Sequence, residues 1–171
     1  FTDQSATVRR LSTAGVVSTV AGVAGSNGST DGTGSAARFG APTGIAVDPA
    51  GNIYVADSQY STIRKISPAG VVSTLAGKAG ELDIVDGTGE AARFFSPNAL
   101  AFDSAGNLYV GQASAVRKVT SSGVVTTLAG GYPLGSVDGT GSAARFGYIT
   151  GIVVDATGNV YVTGQFSDAI T

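Results

Sequence analysis

The sequence predicts an all-β protein built from a repeated unit of short strands. The stretch Asp-Gly-Thr-Gly-x-Ala-Ala-Arg-Phe occurs three times, at residues 31–39, 86–94 and 138–146. Glycine is frequent, at 26 of 171 residues, and 43% of the residues are hydrophobic, which is typical of buried strands joined by tight turns. No segment sustains the 3.6-residue apolar period of a long helix. The only helical structure we expect is a single turn at each Ala-Ala-Arg-Phe.

Each complete repeat contains four predicted strands, which we label a to d in chain order. In the first complete repeat they span residues 44–48, 53–56, 62–66 and 71–76. The intervening Pro49-Ala50-Gly51-Asn52 is a turn sequence between strands a and b. The equivalent strands elsewhere are c and d at 7–11 and 16–21, a to d at 99–103, 108–110, 115–119 and 124–129, and a and b at 151–155 and 160–162.

The repeat length identifies the architecture. Four antiparallel strands recurring about every 53 residues are the sequence signature of a β-propeller blade. The chain then contains two complete blades, at 44–77 and 99–130, and two complementary half-blades, at 7–22 and 151–171. This amounts to about three blades in one domain spanning residues 1–171, with the repeated nine-residue motif as the joint between successive blades.

Several segments resemble the NHL-repeat family of β-propellers. The matching stretches are Pro-Thr-Gly-Ile-Ala-Val-Asp at 42–48, Gly-Asn-Ile-Tyr-Val-Ala-Asp at 51–57, Ile-Arg-Lys-Ile at 63–66, Val-Ser-Thr-Leu-Ala-Gly at 72–77 and Asp-Gly-Thr-Gly at 86–89. The resemblance implies a propeller that acts as a binding module. Some members of the family are metal-dependent lyases, but their histidine ligands have no counterpart here. The later repeats also depart from the family pattern at the position of Asp57, where they carry Gln112 and Gly164.

Composition argues against several functional classes. The chain has no His or Cys, which excludes Ser-His-Asp and Cys-His catalysis and the usual zinc ligands. We therefore predict no enzyme activity, no catalytic residue, no metal and no cofactor. The formal net charge is −2 and the ten basic residues are dispersed, so no nucleic-acid partner is expected. No apolar run approaches the roughly 20 residues of a membrane-spanning helix.

The repeated motif is predicted to be structural. Its aspartates are expected to accept backbone N–H groups in local turns while its glycines adopt positive φ, because calcium would need six to eight oxygen ligands. Its arginines are expected to pair with carboxylates at the ends of strand a, with an anionic ligand as the alternative. The motif residues are Asp31, Arg38, Asp86, Arg93, Asp138 and Arg145, and the strand-a carboxylates are Asp48, Asp103 and Asp155.

The b–c and d–a loops are the predicted site of partner binding. They differ between repeats and emerge on the same face of a blade, and exposed apolar side chains often anchor protein contacts. The alternative is that these side chains cover the edge of the neighbouring blade. The candidates are Tyr60, Leu82, Ile84, Tyr132 and Phe166. Asn27, in Asn-Gly-Ser, is a glycosylation acceptor in a secreted context, and the Ser-, Thr- and Gly-rich, Cys-free composition favours an extracellular or cell-surface location.

Unpaired strand edges at the two half-blades predict assembly, because such edges pair readily with other chains. Two chains joined reciprocally would form one six-bladed ring, whereas contacts that fail to close would propagate a filament. The alternative is that the segment was excised from a longer propeller, which also fits a chain that begins at Phe1. The sequence thus predicts a non-catalytic scaffold that binds a protein or a glycan, with a self-assembling structural protein as the second hypothesis.

Overall fold

The computed structural model describes residues 1–3 and 5–165, and within them the fold is all-β. The strands are β1 (Thr2–Asp3), β2 (Thr7–Leu11), β3 (Val17–Gly22), β4 (Gly32–Thr33), β5 (Pro42–Val47), β6 (Ile53–Asp57), β7 (Thr62–Ile66), β8 (Val71–Ala76), β9 (Gly87–Thr88), β10 (Ala99–Phe102), β11 (Leu108–Gly111), β12 (Ala115–Val119), β13 (Val124–Gly130), β14 (Tyr148–Val154) and β15 (Val160–Gln165). Single 3₁₀ turns occupy Gly34–Ala36, Gly89–Ala91 and Gly141–Ala143. Each turn begins at the second glycine of its motif, two residues before the Ala-Ala-Arg-Phe stretch for which a helical turn was predicted.

The two complete blades are present, but each has five strands rather than the predicted four. Their strand orders are β4-β8-β7-β6-β5 and β9-β13-β12-β11-β10, with every neighbouring pair antiparallel. The fifth strand is the Gly-Thr of the repeated motif, which pairs with strand d of the blade that follows it, so that Thr33 lies opposite Val71. This strand was missed because it is only two residues long and its partner lies almost 40 residues further along the chain.

The half-blades flank these sheets. At the N-terminus, β1 pairs with β2 and β2 with β3, so a short strand b precedes the predicted c and d strands. At the C-terminus, β14 and β15 form the predicted a–b hairpin. The arrangement confirms a partial β-propeller.

The core lies between the faces of adjacent blades. One apolar cluster joins the N-terminal half-blade to the first complete blade, a second joins the two complete blades, and a third joins the second blade to the C-terminal half-blade. Phe39 and Phe94, the last residues of the first two motifs, are fully buried. Burying a Phe side chain contributes about 1.5–3 kcal/mol. Each motif therefore helps to bind one blade to the next.

Candidate functional site

The arginine of strand c is the buried centre of each complete blade. Arg64 is fully buried, and its guanidinium donates to Asp31 Oδ1 at 2.6 Å, to the Thr30 carbonyl at 3.1 Å and to the Arg38 carbonyl at 2.9 Å. Its Cζ also lies 5.2 Å from the centre of the Phe39 ring, a cation–π contact. One side chain on strand c thus holds the whole motif against the blade.

The second blade repeats this arrangement. Arg117 is fully buried and donates to Asp86 Oδ1, to the Val85 carbonyl and to the Arg93 carbonyl, each at 2.9 Å. Its Cζ lies 5.2 Å from the centre of the Phe94 ring. Burial lowers the pKa of the Arg117 guanidinium, and the hydrogen bond from Arg117 to Asp86 opposes that shift. The geometry is therefore a property of the repeat.

The motif aspartates accept long-range hydrogen bonds, which corrects the prediction of local turns. Asp31 accepts the Thr74 backbone N–H at 3.0 Å and the Thr74 hydroxyl at 3.1 Å, in addition to Arg64. Asp86 accepts from Thr127 and Arg117 in the same way. Partial burial favours the neutral form of Asp86, but its bonds from Thr127 and Arg117 outweigh this and hold its pKa below the usual value.

The motif arginines do not pair with the strand-a carboxylates, so that expectation was wrong. Arg38 donates to the Ser26 hydroxyl at 3.1 Å and to the carbonyls of Ser35 and Ala37. Arg93 forms an ion pair with Glu81 at 2.7 Å. Arg145 donates to the carbonyls of Ser142 and Ala144. Each arginine folds back on its own d–a loop, because the motif runs along the outer edge of the blade.

The strand-a carboxylates close the a–b turns instead. Asp48 accepts the backbone N–H and the side-chain amide of Asn52, each at 2.8 Å, and the Tyr54 hydroxyl at 3.2 Å. Burial alone would raise the pKa of Asp48, but the Asn52 and Tyr54 bonds lower it overall, and burial beside this carboxylate raises the pKa of Tyr54 to about 12. Asp103 and Asp155 form the same turn. The local turn chemistry predicted for the motif belongs to these hairpins.

Asp57 distinguishes the first complete blade from the second. It is fully buried and accepts the backbone N–H groups of Gly40 and Ala41 at 3.0 and 3.1 Å, with Arg64 Nη1 3.5 Å away. Burial raises the pKa of the Asp57 carboxyl against the opposing effect of these donors. In the second blade Gln112 takes this place, and its amide nitrogen is buried without a partner. Arg117 therefore has one carboxylate partner where Arg64 has two.

The third motif has no strand-c arginine beside it among the described residues. Within the described residues, the Asp138 carboxylate forms no hydrogen bond or ion pair. Phe146 is only half-buried, unlike the corresponding phenylalanines of the first two motifs. A cleft of about 660 Å³ adjoins it, lined by residues that include Arg145, Phe146, Ile149, Val162, Gly164 and Gln165.

The b–c and d–a loops meet on one face, as predicted. Backbone hydrogen bonds join them: Gly25 N donates to the Ser5 carbonyl, Gly80 N to the Tyr60 carbonyl and Gly131 N to the Ser114 carbonyl. These bonds fix the loops to the blades. We call the surface formed by these loops the loop face.

The predicted contact residues divide by exposure. Leu82 and Tyr132 are each 52% exposed, whereas Ile84 is half-buried. Tyr60 is also half-buried, because its ring packs so closely on Gly40 that a Cβ there would lie 2.6 Å from the ring. The packing of Tyr60 on Gly40 agrees with the alternative role, in which these side chains cover other parts of the propeller, while its remaining exposed surface is still available to a partner. Phe166 lies outside the described residues.

The loop face contains an aromatic cluster that the sequence analysis missed. The Tyr132 ring meets the Phe95 ring edge to face at a centroid distance of 5.7 Å, and Tyr148 is 43% exposed nearby. Burial raises the pKa of Tyr132, with further contributions from neighbouring Tyr148 and Asp83. A comparison of the repeats could have found Phe95, because the other two motifs are followed by glycine at that position. We call Leu82, Phe95, Tyr132 and Tyr148 the aromatic patch.

The described part of the chain has neither a cluster of metal-binding side chains nor a membrane-spanning helix. It contains no group of three or more His, Cys, Asp or Glu side chains placed to hold a metal ion. None of its helices is both long and apolar enough to cross a membrane.

A family model for the NHL repeat matches residues 39–66, which run from the end of the first motif to the end of strand c. This match confirms the NHL resemblance inferred from the sequence. Residues 39–66 are thus similar to an NHL repeat, and the chain around them folds as a partial β-propeller.

Solved propeller structures share the fold. A structural genomics protein of unknown function from Bacteroides thetaiotaomicron is 26% identical with a TM-score of 0.76, over 95% of this chain and 40% of that one. An auxiliary nutrient binding protein from Bacteroides ovatus is 25% identical with a TM-score of 0.54, over 63% and 30%. Another from Bacteroides thetaiotaomicron is 22% identical with a TM-score of 0.69, over 93% and 40%. The chain thus spans less than half the length of these proteins.

Proposed function

We propose that this chain is a non-catalytic binding and scaffold module whose loop face binds a protein or a glycan. The aromatic patch is the observation that carries the proposal. Tyr132 is half exposed and packs on the partly buried Phe95, and the half-exposed Leu82 pairs with the adjacent residue, Phe94. The patch therefore offers apolar rings together with a phenolic hydroxyl. Aromatic side chains of this kind supply large contact area and directional hydrogen bonding at binding surfaces.

The fixed position of the loops supports binding over a flexible structural role. Backbone hydrogen bonds tie each d–a loop to the adjacent b–c loop. A surface ordered before binding loses less conformational entropy when a ligand arrives. The loop face is therefore suited to recognise a partner without rearrangement.

Two further observations support a binding role. The chain contains no His or Cys, and the motif and hairpin carboxylates of the complete blades are engaged in structural hydrogen bonds. Two of the proteins with a similar fold are auxiliary nutrient binding proteins. A binding protein of this kind would act outside the cell or at its surface, where exposed Asn27 would be accessible to glycosylation.

Glycan binding can be tested by affinity electrophoresis in gels that contain a soluble glycan. The probes are xylan, starch and mucin glycans. A peptide array tests the protein form. We expect binding to be lost in Leu82→Asp and in Tyr132→Asp and weakened in Tyr60→Asp. Leu128→Asp is the matched control, because Leu128 is similarly exposed, at 46%, but lies on strand β13. Binding that survives both patch substitutions would refute the loop face as the site.

A second function follows from the open edges of the half-blades. We propose that the module completes its ring by sharing blades between chains, with a head-to-tail filament as the alternative outcome of the same contact. The N-terminal sheet has a short strand b before strands c and d but no strand a, and the C-terminal sheet has only strands a and b among the described residues. Light scattering of the 171-residue chain tests this proposal. A mass that is a multiple of 16.8 kDa supports blade sharing, and a monomer at millimolar concentration contradicts it.

A further inference from the structure

The d–a loops that lead into the first two motifs have the same length and the same backbone pairing. Each runs ten residues from a glycine to the motif aspartate, over 22–31 and 77–86. At equivalent positions, Gly28 N and Asp83 N donate to the carbonyl of the motif phenylalanine, at 3.1 and 3.2 Å. The two loops can therefore be compared residue by residue.

The motif arginine is held in the same way in both loops. Its Nη1 donates to two carbonyls of the adjoining 3₁₀ turn, those of Ser35 and Ala37 for Arg38 and those of Glu90 and Ala92 for Arg93. The guanidinium is planar and its donors lie in fixed directions. The other edge, formed by Nε and Nη2, is therefore presented in the same orientation by both arginines.

In the second loop a carboxylate occupies that edge. Arg93 Nε and Nη2 donate to Glu81 Oε2 at 2.8 and 2.7 Å, and Lys78 Nζ lies 2.5 Å from Glu81 Oε1. The hydrogen bonds from Lys78 and Arg93 lower the pKa of the Glu81 carboxyl. In the first loop Ser26 takes the place of Glu81, and its hydroxyl accepts from Arg38 Nε at 3.1 Å.

The partly exposed Arg38 has no carboxylate partner within the part of the chain that the structure describes, and its Nη2 has no hydrogen-bond partner there. The aspartate of the same motif does not fill this place, because Asp31 is bound by Arg64 and Thr74. The edge that a carboxylate fills in the second loop is thus available to a ligand in the first.

We propose that the Nε–Nη2 edge of Arg38 binds the carboxylate of a uronic acid in an acidic glycan. The inference rests on the proposed binding role of the loop face and names its ligand class at the first d–a loop. A ligand oxygen at Arg38 Nη2 would also accept the proton of the Ser26 hydroxyl, whose oxygen already accepts from Arg38 Nε. Hydrogen bonds between charged groups are shorter and stronger than neutral ones.

The rest of the first loop favours a sugar acid over an acidic peptide. Residues 26–30 read Ser-Asn-Gly-Ser-Thr, with hydroxyl and amide side chains only, whereas residues 81–85 read Glu-Leu-Asp-Ile-Val. Protein partners are anchored mainly by large apolar and aromatic side chains, which the first loop does not offer. A sugar acid carries hydroxyl groups beside its carboxylate, and hydroxyl and amide side chains can both donate to and accept from them.

Calorimetric titration of the 171-residue chain with trigalacturonate at low salt tests the ligand class. The trimethyl ester of the same trisaccharide should bind at least about 10-fold more weakly, because the hydrogen bond to a charged group is lost. Acetylated and amidated triglutamate carries three carboxylates on a peptide and should bind no better than the ester. Equal affinity for triglutamate and trigalacturonate would overturn the assignment to a uronic acid.

Ser26→Glu is the decisive variant, because it gives the first loop the arrangement of the second and keeps Arg38. The new carboxylate should occupy the guanidinium edge and weaken trigalacturonate binding by at least about 10-fold. Thr13→Glu adds the same charge in the exposed turn between β2 and β3, and screening should keep its effect below about twofold. Arg38→Gln should weaken binding as much as Ser26→Glu, with circular dichroism to show that the fold is retained.

The reverse change offers a gain of binding. Glu81→Ser frees Arg93 and Lys78 and should raise the stoichiometry for trigalacturonate from one to two. Unchanged affinity in Ser26→Glu would refute the inference. If trigalacturonate does not bind while another glycan or a peptide binds and is lost in Tyr132→Asp, the inference fails and the proposed function stands. If none of these probes binds, both fail.

Discussion

The first two copies of the nine-residue motif and the third copy have almost the same sequence but different surroundings. In the first two, a buried arginine from strand c binds the aspartate and two carbonyls and packs on the phenylalanine. In the third, the aspartate is exposed and the phenylalanine is half-buried beside a cleft. The surroundings of the motif therefore depend on the strand-c arginine: where that arginine lies beside the motif, the aspartate is paired and the phenylalanine is fully buried.

The largest effect should come from removing that arginine in a closed copy. Arg64→Ala leaves Asp57 buried without its cation, removes the donors to two carbonyls and opens a cavity under Phe39. Breaking a buried ion pair costs about 3–5 kcal/mol. We expect the free energy of unfolding, measured by urea denaturation, to fall by about that amount or the chain to lose its fold. Lys65→Ala, on the same strand, should cost less than about 1 kcal/mol, and equal losses for both variants would contradict the comparison.

The loss of stability on replacing a motif aspartate should depend on whether the strand-c arginine beside it keeps another carboxylate partner. Asp86→Ala leaves Arg117 buried with no carboxylate partner and should cost about 2–3 kcal/mol. Asp31→Ala should cost about 1–2 kcal/mol, because Arg64 retains Asp57. Asp138→Ala, in the open copy, should stay within about 0.5 kcal/mol when measured on dilute monomer. A large loss for Asp138→Ala under those conditions would mean that the third motif is already closed within one chain.

The sequence predicted the repeat, the blades and the loop face because each depends on local patterns. Strand periodicity, turn residues and the recurrence of the motif are all visible within a window of about 53 residues. The same patterns identified Leu82 and Tyr132 as exposed loop residues.

The Asp–Arg pairs were not predicted, because the partners lie 33 and 31 residues apart and no local pattern joins them. The signal was present in the repeats: an aspartate of the motif and the first basic residue of strand c recur together. Assigning the motif arginines to the strand-a carboxylates failed for the same reason, since the outer path of the motif beside strand d follows from sheet pairing alone. Phe95 was not predicted because it lies just after the nine repeated residues, at a position where the other two copies have glycine.

The pH dependence of stability should have opposite signs at Asp57 and Asp86, with smaller effects than the substitutions above. The pKa of Asp86 is lowered in the folded state, so its stabilisation is present above its unfolded pKa of about 4 and is lost as the pH falls through the folded value. The pKa of Asp57 is raised, so its contribution is present below pH of about 4 and is lost as the pH rises through the folded value.

Urea denaturation between pH 3 and 7 of Asp86→Asn and Asp57→Asn measures these contributions. Asp86→Asn should reduce the loss of stability on acidification, and Asp57→Asn should reduce the loss on raising the pH. The solvent exposure of Asp86 keeps its contribution small. If both variants change the pH dependence of the free energy of unfolding in the same direction, the folded-state pKa values of Asp57 and Asp86 are not shifted in opposite directions.

The smallest effect should come from giving the second blade the carboxylate of the first. Gln112 is fully buried, and its amide nitrogen has no hydrogen-bond partner, a condition that costs about 1–3 kcal/mol. Gln112→Asp removes that orphan donor and gives Arg117 a second carboxylate, but it also buries another charge, so a net gain of up to about 1 kcal/mol is expected. Gln112→Asn shortens the side chain equally while keeping an amide. Urea denaturation should therefore rank Gln112→Asp above wild type and Gln112→Asn below it. If both variants lose stability equally, side-chain length at this position matters more than the charge beside Arg117, and the difference between the two complete blades is one of packing.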